Sequence, residues 1–146
     1  MTKSEKAAKY FANNYNCSQS VFTAIGQDFG LTEDQCFKTA CAFGAGMGRQ
    51  QHTCGAVTGA LMAIGLKYGK GVNDSNQKKV ETYQKAVALM NAFKQKNGSI
   101  NCKELLNGLD MNNDADMKKI SEMRLFETNC LGYVKYATEL AEEMVG

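Results

Sequence analysis

Residues 53–67 read Thr-Cys-Gly-Ala-Val-Thr-Gly-Ala-Leu-Met-Ala-Ile-Gly-Leu-Lys, and they carry the clearest structural signal in this 146-residue chain. The segment predicts a helix over Cys54–Lys67, capped by Thr53 and closed by Gly69. Gly55 and Gly59 are four residues apart, and a neighbouring stripe consists of Ala56, Ala60 and Ala63. Without close contacts, each interior glycine would cost the helix about 1 kcal/mol. We therefore expect this helix to be central, with another helix backbone packed closely against it.

A glycine-rich segment, Gly44-Ala-Gly-Met-Gly-Arg-Gln-Gln-His52, precedes this helix. Loops of this kind can present backbone N–H groups to an anion or a cluster, so Gly46, Gly48, Arg49 and Gly55 are candidate cofactor-binding residues. The glycines follow a predicted helix and not a strand, which argues against a nucleotide-binding fingerprint.

The rest of the chain shows helical periodicity, and no segment alternates as a strand does. Further helices are predicted over 4–13, 17–29, 33–43, 76–97, 102–106, 114–126 and 130–144. Asn16, Thr32 and Asn101 are predicted N-caps, and Gly98 is a predicted C-terminal stop. The longest of these helices carries an apolar stripe that we expect to face the core, formed by Val80, Tyr83, Val87, Met90 and Phe93. The prediction is an all-α fold without a sheet, in one compact domain over residues 1–146 with about seven to eight helices.

Composition excludes several classes of function. The net charge is +2 with no basic run, which argues against nucleic-acid binding. The longest apolar run, Gly55–Leu66, is shorter than the roughly 20 residues of a membrane span, so no membrane insertion is expected. The N-terminal residues lack the apolar segment of a signal peptide, and we expect a cytoplasmic protein. In a reducing compartment, six cysteines are more typical of packing, metal binding or redox chemistry than of structural disulfides.

Four cysteines share one local context, because each directly follows a candidate capping residue. The pairs are Asn16-Cys17, Thr53-Cys54, Asn101-Cys102 and Asn129-Cys130. A cysteine at a helix N-terminus meets unpaired N–H groups and a positive dipole end, which favour the thiolate and lower its pKa into a range of about 3.5–7.5. The four are therefore predicted to form one site, either as redox thiols or as metal ligands. No C-x-x-C pair is present, which argues against a zinc ribbon or a thioredoxin-type site.

The other candidate residues surround this set. His52 is the chain's one histidine and lies two residues before Cys54, so it is a candidate base or charge partner for that thiol. Cys54 is accordingly expected to have the lowest thiol pKa of the six. Cys36 and Cys41 lie inside a predicted helix, and buried packing is the better interpretation of both.

The cysteine pattern resembles a known family. Cys54-Gly-Ala-Val-Thr-Gly59 has the form Cys-Gly-Ala-x-x-Gly, with Cys17 upstream and with Cys102 and Cys130 downstream. The chain is similar in this order to the redox-active protein family named for its C_GCAxxG_C_C pattern, over nearly its whole length. The resemblance implies a small helical protein of redox character, without implying a substrate.

Two functions from different classes remain open at this point. In the first, the four cysteines act in electron transfer, either by thiol–disulfide exchange or by holding a metal ion or an iron–sulfur cluster, with an unidentified redox partner. Such a protein could be an oxidoreductase, and a homodimer is also compatible with the sequence. The alternative is a non-catalytic helical module that binds a small ligand or a protein partner. Substituting Cys17 and Cys130 separates the two, since a binding module would keep its activity.

Overall fold

The computed structural model describes residues 1–146 and consists of helices and connecting turns. The α-helices are α1 Lys3–Ala12, α2 Cys17–Gly26, α3 Glu33–Ala40, α4 Gly44–Met47, α5 Gly55–Tyr68, α6 Asn76–Asn97, α7 Cys102–Leu105, α8 Asp114–Glu122 and α9 Leu131–Val145. Short 3₁₀ turns cover Gln27–Phe29 and Cys41–Phe43, and Phe126–Cys130 is π-helical. An isolated antiparallel bridge joins Thr53 and Asn101, and there is no sheet. The predicted all-α fold is confirmed, with eight regular helices and the single distorted turn α4.

Local sequence signals account for several helix ends. The Asn16 side chain accepts a hydrogen bond from the Gln19 N–H at 2.9 Å, and the Gln19 side chain accepts one from the Asn16 N–H at 3.0 Å. This reciprocal capping box satisfies two N–H groups that the helix leaves without partners. Thr32 and Gln35 repeat the arrangement at the start of α3. Gly98 ends α6 with φ of 88°, a left-handed conformation that glycine adopts without strain.

Helices α2 and α5 form the centre of the fold, with α1 and α9 packed around them. A Cβ added to Gly59 on α5 would lie 2.7 Å from the Ser18 carbonyl oxygen on α2. The predicted close approach of a second helix to the small-residue face therefore occurs, and α2 is the helix that makes it. Leu89 and Phe93 hold α6 against this centre.

The predicted apolar stripe of α6 is wrong in its first half. Val80, Tyr83 and Val87 are 44%, 63% and 51% exposed, whereas Leu89 and Phe93 are fully buried. The helix is rotated so that a different row faces inward, and the Thr82 hydroxyl on that row donates a hydrogen bond to the Tyr68 carbonyl at 2.8 Å. Packing by Phe93 and this polar contact fix the rotation, and the hydrophobic pattern alone did not reveal it.

Several predicted helix bounds also need correction. The predicted helices 17–29 and 33–43 end in α geometry at Gly26 and Ala40, and a 3₁₀ turn completes each. The predicted helix 114–126 ends at Glu122, because Arg124 has a left-handed φ of 53° that breaks the run. The helical chain resumes directly afterwards and continues through the π-helical segment into α9.

The buried side chains form two separate clusters. The larger cluster lies between α1, α2, α5, α6 and α9, and the smaller one contains Cys102, Leu106, Met111, Ile120, Leu125 and Cys130. Phe11, Cys17 and Tyr133 pack against both clusters. The seam between the clusters therefore runs past Cys17. No helix has both the length and the apolar character that a bilayer crossing would require.

Candidate functional site

A cavity of about 540 Å³ opens at the seam between the two clusters. Hydrophobic residues make up 15 of the 19 that line it. Cys17, Cys54, Cys102 and Cys130 are all among the lining residues, whereas Cys36 and Cys41 are not. The fold thus brings together in one cavity four cysteines that are far apart in the sequence. All six cysteines are free thiols in this structure.

Cys17 enters the cavity from the first residue of α2. Besides capping α2, Asn16 donates a hydrogen bond from its Nδ2 to the Cys41 carbonyl at 2.9 Å, which ties the start of α2 to the end of α3. The rings of Tyr15 and Phe37 stack at 3.8 Å between centroids and support the same corner. Cys17 is only partly buried, which makes it the most accessible of the four cavity cysteines.

Cys54 and Cys102 are fixed to each other through their backbones. The Cys54 N–H donates to the Ile100 carbonyl and the Cys102 N–H donates to the His52 carbonyl, both at 2.7 Å. These bonds flank the bridge between Thr53 and Asn101. Thr53 is therefore extended, and Cys54 is itself the residue that precedes α5. The prediction that Thr53 caps the helix with Cys54 as its first residue is wrong by one position.

Cys130 is not at a helix N-terminus, which contradicts the prediction. It is the last residue of the π-helical segment and continues directly into α9. The helical run instead restarts after Arg124, so the neighbouring Asn129 caps nothing. Cys130 therefore lines the cavity as predicted, but the basis of that prediction, a capping residue before a helix N-terminus, is wrong at this position.

The prediction of lowered thiol pKa values is also wrong for Cys17, Cys54 and Cys102 in the reduced chain. Burial raises the pKa of Cys54 to about 12, and the nearby Cys17 acts in the same direction, while the N–H groups of Ala56 and Val57 oppose both. Burial likewise raises the pKa of Cys102 to about 12. The two side chains are only 4% and 7% exposed, so desolvation of the thiolate outweighs the helix-end effect. They are neutral thiols near pH 7.

Cys17 and Cys130 influence each other inside the cavity. The neighbouring Cys130 side chain is the main cause that holds the pKa of Cys17 well above its usual range, and burial adds to it. Because Cys17, Cys54 and Cys102 all have raised pKa values, these three thiols share one cavity without charge repulsion. Tyr133 lies beside the cluster, and burial raises its pKa, with Cys130 and Cys54 adding to the effect.

The donor set does not fit a metal ion or a cluster in this arrangement. Structural zinc and iron–sulfur centres require about four thiolate or imidazole ligands around one point. Nowhere in residues 1–146 do three or more His, Cys, Asp or Glu side chains come together in a way that could hold an ion. The four sulfurs share a cavity without sharing a coordination point.

The glycine-rich segment reaches the cavity only through Ala45. Of its candidate cofactor-binding residues, only the adjoining Gly55 lines the cavity, and Gly46, Gly48 and Arg49 do not. Some of its N–H groups already have backbone partners, since Gly48 donates to the Ala42 carbonyl at 2.9 Å and His52 donates to the Gly46 carbonyl at 3.0 Å. A Cβ on Gly46 would lie 2.5 Å from the Gln51 Cα, so the tight turn requires glycine.

Arg49 and His52 have structural contacts in place of the predicted chemical ones. The Arg49 guanidinium donates to the Met111 carbonyl at 3.3 Å and joins the loop to the smaller cluster. The His52 side chain is exposed and does not line the cavity. Its backbone, by contrast, accepts the hydrogen bond that positions Cys102.

The two remaining cysteines differ from each other. Cys36 is fully buried, and its sulfur lies against Gly26 of α2, as the packing interpretation predicts. Cys41 is exposed, which contradicts that interpretation. The reason is that α3 ends at Ala40, so Cys41 belongs to a surface 3₁₀ turn.

Sequence reasoning missed the aromatic wall of the cavity. Phe11, Tyr15, Phe126 and Tyr133 line it, together with the carboxylate of Glu127 at its rim. A signal was present, since Phe126 and Tyr133 lie four residues before and three residues after Cys130. Residues at these spacings share one face of a helix.

Comparisons with known proteins assign the chain to a family. The family model described as "Putative redox-active protein (C_GCAxxG_C_C)" matches residues 15–144. A protein of Archaeoglobus fulgidus described as uncharacterized is 27% identical over 115 residues, which cover 74% of this chain and 76% of that protein. No solved structure matches the chain. The family match spans all four cavity cysteines and nearly every helix, and the chain therefore belongs to the C_GCAxxG_C_C family.

Proposed function

We propose that this protein carries out thiol–disulfide exchange, with Cys17 and Cys130 cycling between a dithiol and a disulfide. The observation that carries the proposal is that these two cysteines line one cavity, where Cys130 is the neighbour with the largest effect on Cys17. Neighbouring thiols on separate segments can approach to form a bond, whereas Cys54 and Cys102 are held in place by the backbone around the Thr53–Asn101 bridge. The redox character of the family supports the same chemistry.

The reaction balances with a disulfide as the oxidant. One sulfur of the pair, as thiolate, attacks a sulfur of the substrate R–S–S–R and expels R–S⁻, which takes up the proton that was released. The second cysteine then attacks the mixed disulfide, a Cys17–Cys130 bond forms, and a second R–SH leaves. Two thiols of the protein are oxidised and one substrate disulfide is reduced to two thiols.

The raised pKa of Cys17 has a consequence for this reaction. Because attack requires a thiolate, attack by Cys17 is slow near neutral pH and accelerates as the pH rises. Cys54 and Cys102, whose pKa values are raised to about 12, stay protonated over the same range and complete the wall of the cavity.

Disulfide mapping tests the proposal. The fully reduced protein is treated with excess bis(hydroxyethyl) disulfide, quenched with acid and digested, and the linked peptides are identified by mass spectrometry. We expect a Cys17–Cys130 linkage and an intact mass lower by two hydrogens. A fully oxidised sample in which Cys17 is never linked to Cys130 would overturn the proposal.

Single substitutions provide the controls. Cys17→Ser and Cys130→Ser should each stop at a mixed disulfide on the remaining cysteine of the pair. Cys41→Ser removes an exposed thiol outside the cavity and should leave the Cys17–Cys130 linkage unchanged. Loss of the linkage in Cys41→Ser with the fold intact would show that the pair is wrongly chosen.

Anaerobic purification tests the competing metal or cluster form of redox chemistry. Because no three donor side chains converge, we expect protein prepared without chelator to contain less than one metal ion per chain and to lack visible absorption. One iron–sulfur cluster or one zinc ion per chain would reject the thiol–disulfide proposal. It would also show that the four sulfurs rearrange around the metal.

A further inference from the structure

The walls of the four-cysteine cavity are apolar, and aromatic rings form much of their surface. Phe11 and Tyr15 come from the first helix and the turn after it, and Phe126 and Tyr133 come from the π-helical segment and α9. A volume of about 540 Å³ lies within the range of roughly 300–1,000 Å³ that small-molecule sites occupy. A cavity of this size lined by four aromatic rings suits a small apolar, aromatic molecule and leaves little room for a folded peptide chain.

The one charged side chain that lines the cavity is negative. Glu127 at the rim is the one Asp, Glu, Lys, Arg or His among the lining residues, and no cation faces it from the wall. The remaining polar side chains are the uncharged amides of Asn14 and Asn16 and the phenols of the two tyrosines. An anionic substrate would be repelled at the entrance and would find no counter-ion inside.

The reacting pair lies on this same wall. Cys17 and Cys130 both line the cavity, and Phe126, Glu127 and Cys130 belong to one π-helical segment. Such segments are rare and occur often at functional sites. The cavity also opens between two packed clusters, so a molecule can enter without disrupting either core.

We propose that the cavity binds uncharged aromatic disulfides as substrates and discriminates against anionic ones. The inference rests on the proposed exchange at Cys17 and Cys130 and names the class of its oxidant. The substrate's rings pack against the aromatic side chains of the lining, its central S–S bond reaches the Cys17–Cys130 pair, and both halves leave as uncharged aromatic thiols. The exchange keeps the balance given above, with one aromatic disulfide reduced for each protein disulfide formed.

A comparison of two coloured reagents tests the selectivity. Uncharged dithiodipyridine and dianionic dithiobis(nitrobenzoate) both oxidise thiols and release an absorbing product. The rates are measured in a Cys41→Ser background, which removes the exposed thiol, and are divided by the rates for the same chain unfolded in guanidinium. We expect the folded chain to favour the uncharged reagent at least about tenfold relative to the unfolded chain, as charge repulsion and desolvation together predict.

Charge variants at the rim supply the second arm. Glu127→Lys should raise the rate with the dianion about threefold to tenfold at low salt, and the gain should shrink in high salt. The rate with the uncharged reagent should change by less than about twofold, since no charge is involved. Equal effects of Glu127→Lys on both reagents, or no selectivity in the parent chain, would overturn the inference.

A binding measurement separates this inference from the exchange proposal. Diphenylethane, in which two carbons replace the two sulfurs, is titrated into the Cys17→Ser, Cys130→Ser double variant and followed by NMR shifts of the cavity aromatics. Its dicarboxylated analogue is the control. Binding of diphenylethane without any Cys17–Cys130 linkage in the parent protein would reject the exchange and retain the cavity as an apolar ligand site. A Cys17–Cys130 linkage that forms without selectivity between the two reagents would retain the exchange and reject the proposed substrate class.

Discussion

Alkylation of the reduced protein gives a direct test of how burial in the cavity changes the reactivity of each thiol. The sequence alone predicts that Cys54 reacts first, because it follows a capping residue near a histidine. The structure reverses the order: Cys54 is 4% exposed with a pKa raised to about 12, whereas Cys41 is exposed. We expect Cys41 to be labelled first by iodoacetamide and Cys54 to be among the last.

The size of the effect follows from the thiolate fraction. At about pH 8, a thiol with the ordinary value near 9.0 is roughly one-tenth thiolate, and one with a pKa of about 12 is roughly one ten-thousandth thiolate. The Cys54 thiolate is thus about a thousandfold scarcer than that of an ordinary cysteine, before burial slows the reagent's approach. Its rate should rise about tenfold per pH unit well beyond the point where an ordinary thiol levels off.

The assay is time-resolved alkylation in the absence of metal, with each labelled cysteine identified by peptide mapping. The same chain in guanidinium is the reference, and there all six cysteines should react at similar rates. His52→Ala should leave the Cys54 rate unchanged at both pH 6 and pH 8, because the imidazole is exposed and does not line the cavity. Labelling of Cys54 as fast as Cys41 in the folded chain would refute the reasoning from burial.

Three further predictions concern stability. Gly59→Ala should lower the free energy of unfolding by about 1–3 kcal/mol, because its Cβ would lie 2.7 Å from the Ser18 carbonyl oxygen. A Cβ at Gly65 meets nothing within 4 Å, so Gly65→Ala should raise the free energy of unfolding by up to about 1 kcal/mol. Equal urea midpoints for the two variants would contradict this. Asn16→Ala should lower stability by about 1 kcal/mol in thermal unfolding, since it removes the cap of α2. Stability should fall as the pH rises from about 9 towards 12, by up to roughly 4 kcal/mol from Cys54 alone, because the folded state keeps a proton that the unfolded chain loses. Cys54→Ala should reduce that slope in urea titrations, and Cys17 and Cys102 should account for the slope that remains.

Local signals in the sequence predicted the parts of the fold that depend on local chemistry. Asn16 and Thr32 cap helices as their side chains dictate, and Gly98 ends α6. The small-residue face of α5 correctly indicated a close helix partner, since Gly59 tolerates nothing larger. The caps and the C-terminal glycine act within a few residues of the helix end. The close packing at α5 follows from the small size of its residues.

The rest depends on packing between distant segments. Val80 and Val87 form a good apolar stripe, but Phe93 and the contact of Thr82 with Tyr68 rotate α6 away from it. The thiol pKa values depend on burial, which no local pattern around Cys54 records. Cys130 joins the site through a π-helical segment, and the Asn129-Cys130 pair in the sequence does not indicate such a segment.

The pairing of Thr53 with Asn101 brings the two ends of the segment between them together beside the cavity. Everything between these residues, namely α5, α6 and their connecting turn, departs from the cavity and returns to it at a clamped pair of strand-like segments. Val72, at the tip of this excursion, is 99% exposed. A dye, an affinity handle or an inserted peptide placed there is separated from Cys54 by the 14 residues of α5. The hairpin is therefore a built-in attachment point for immobilising the protein on an electrode or a sensor surface.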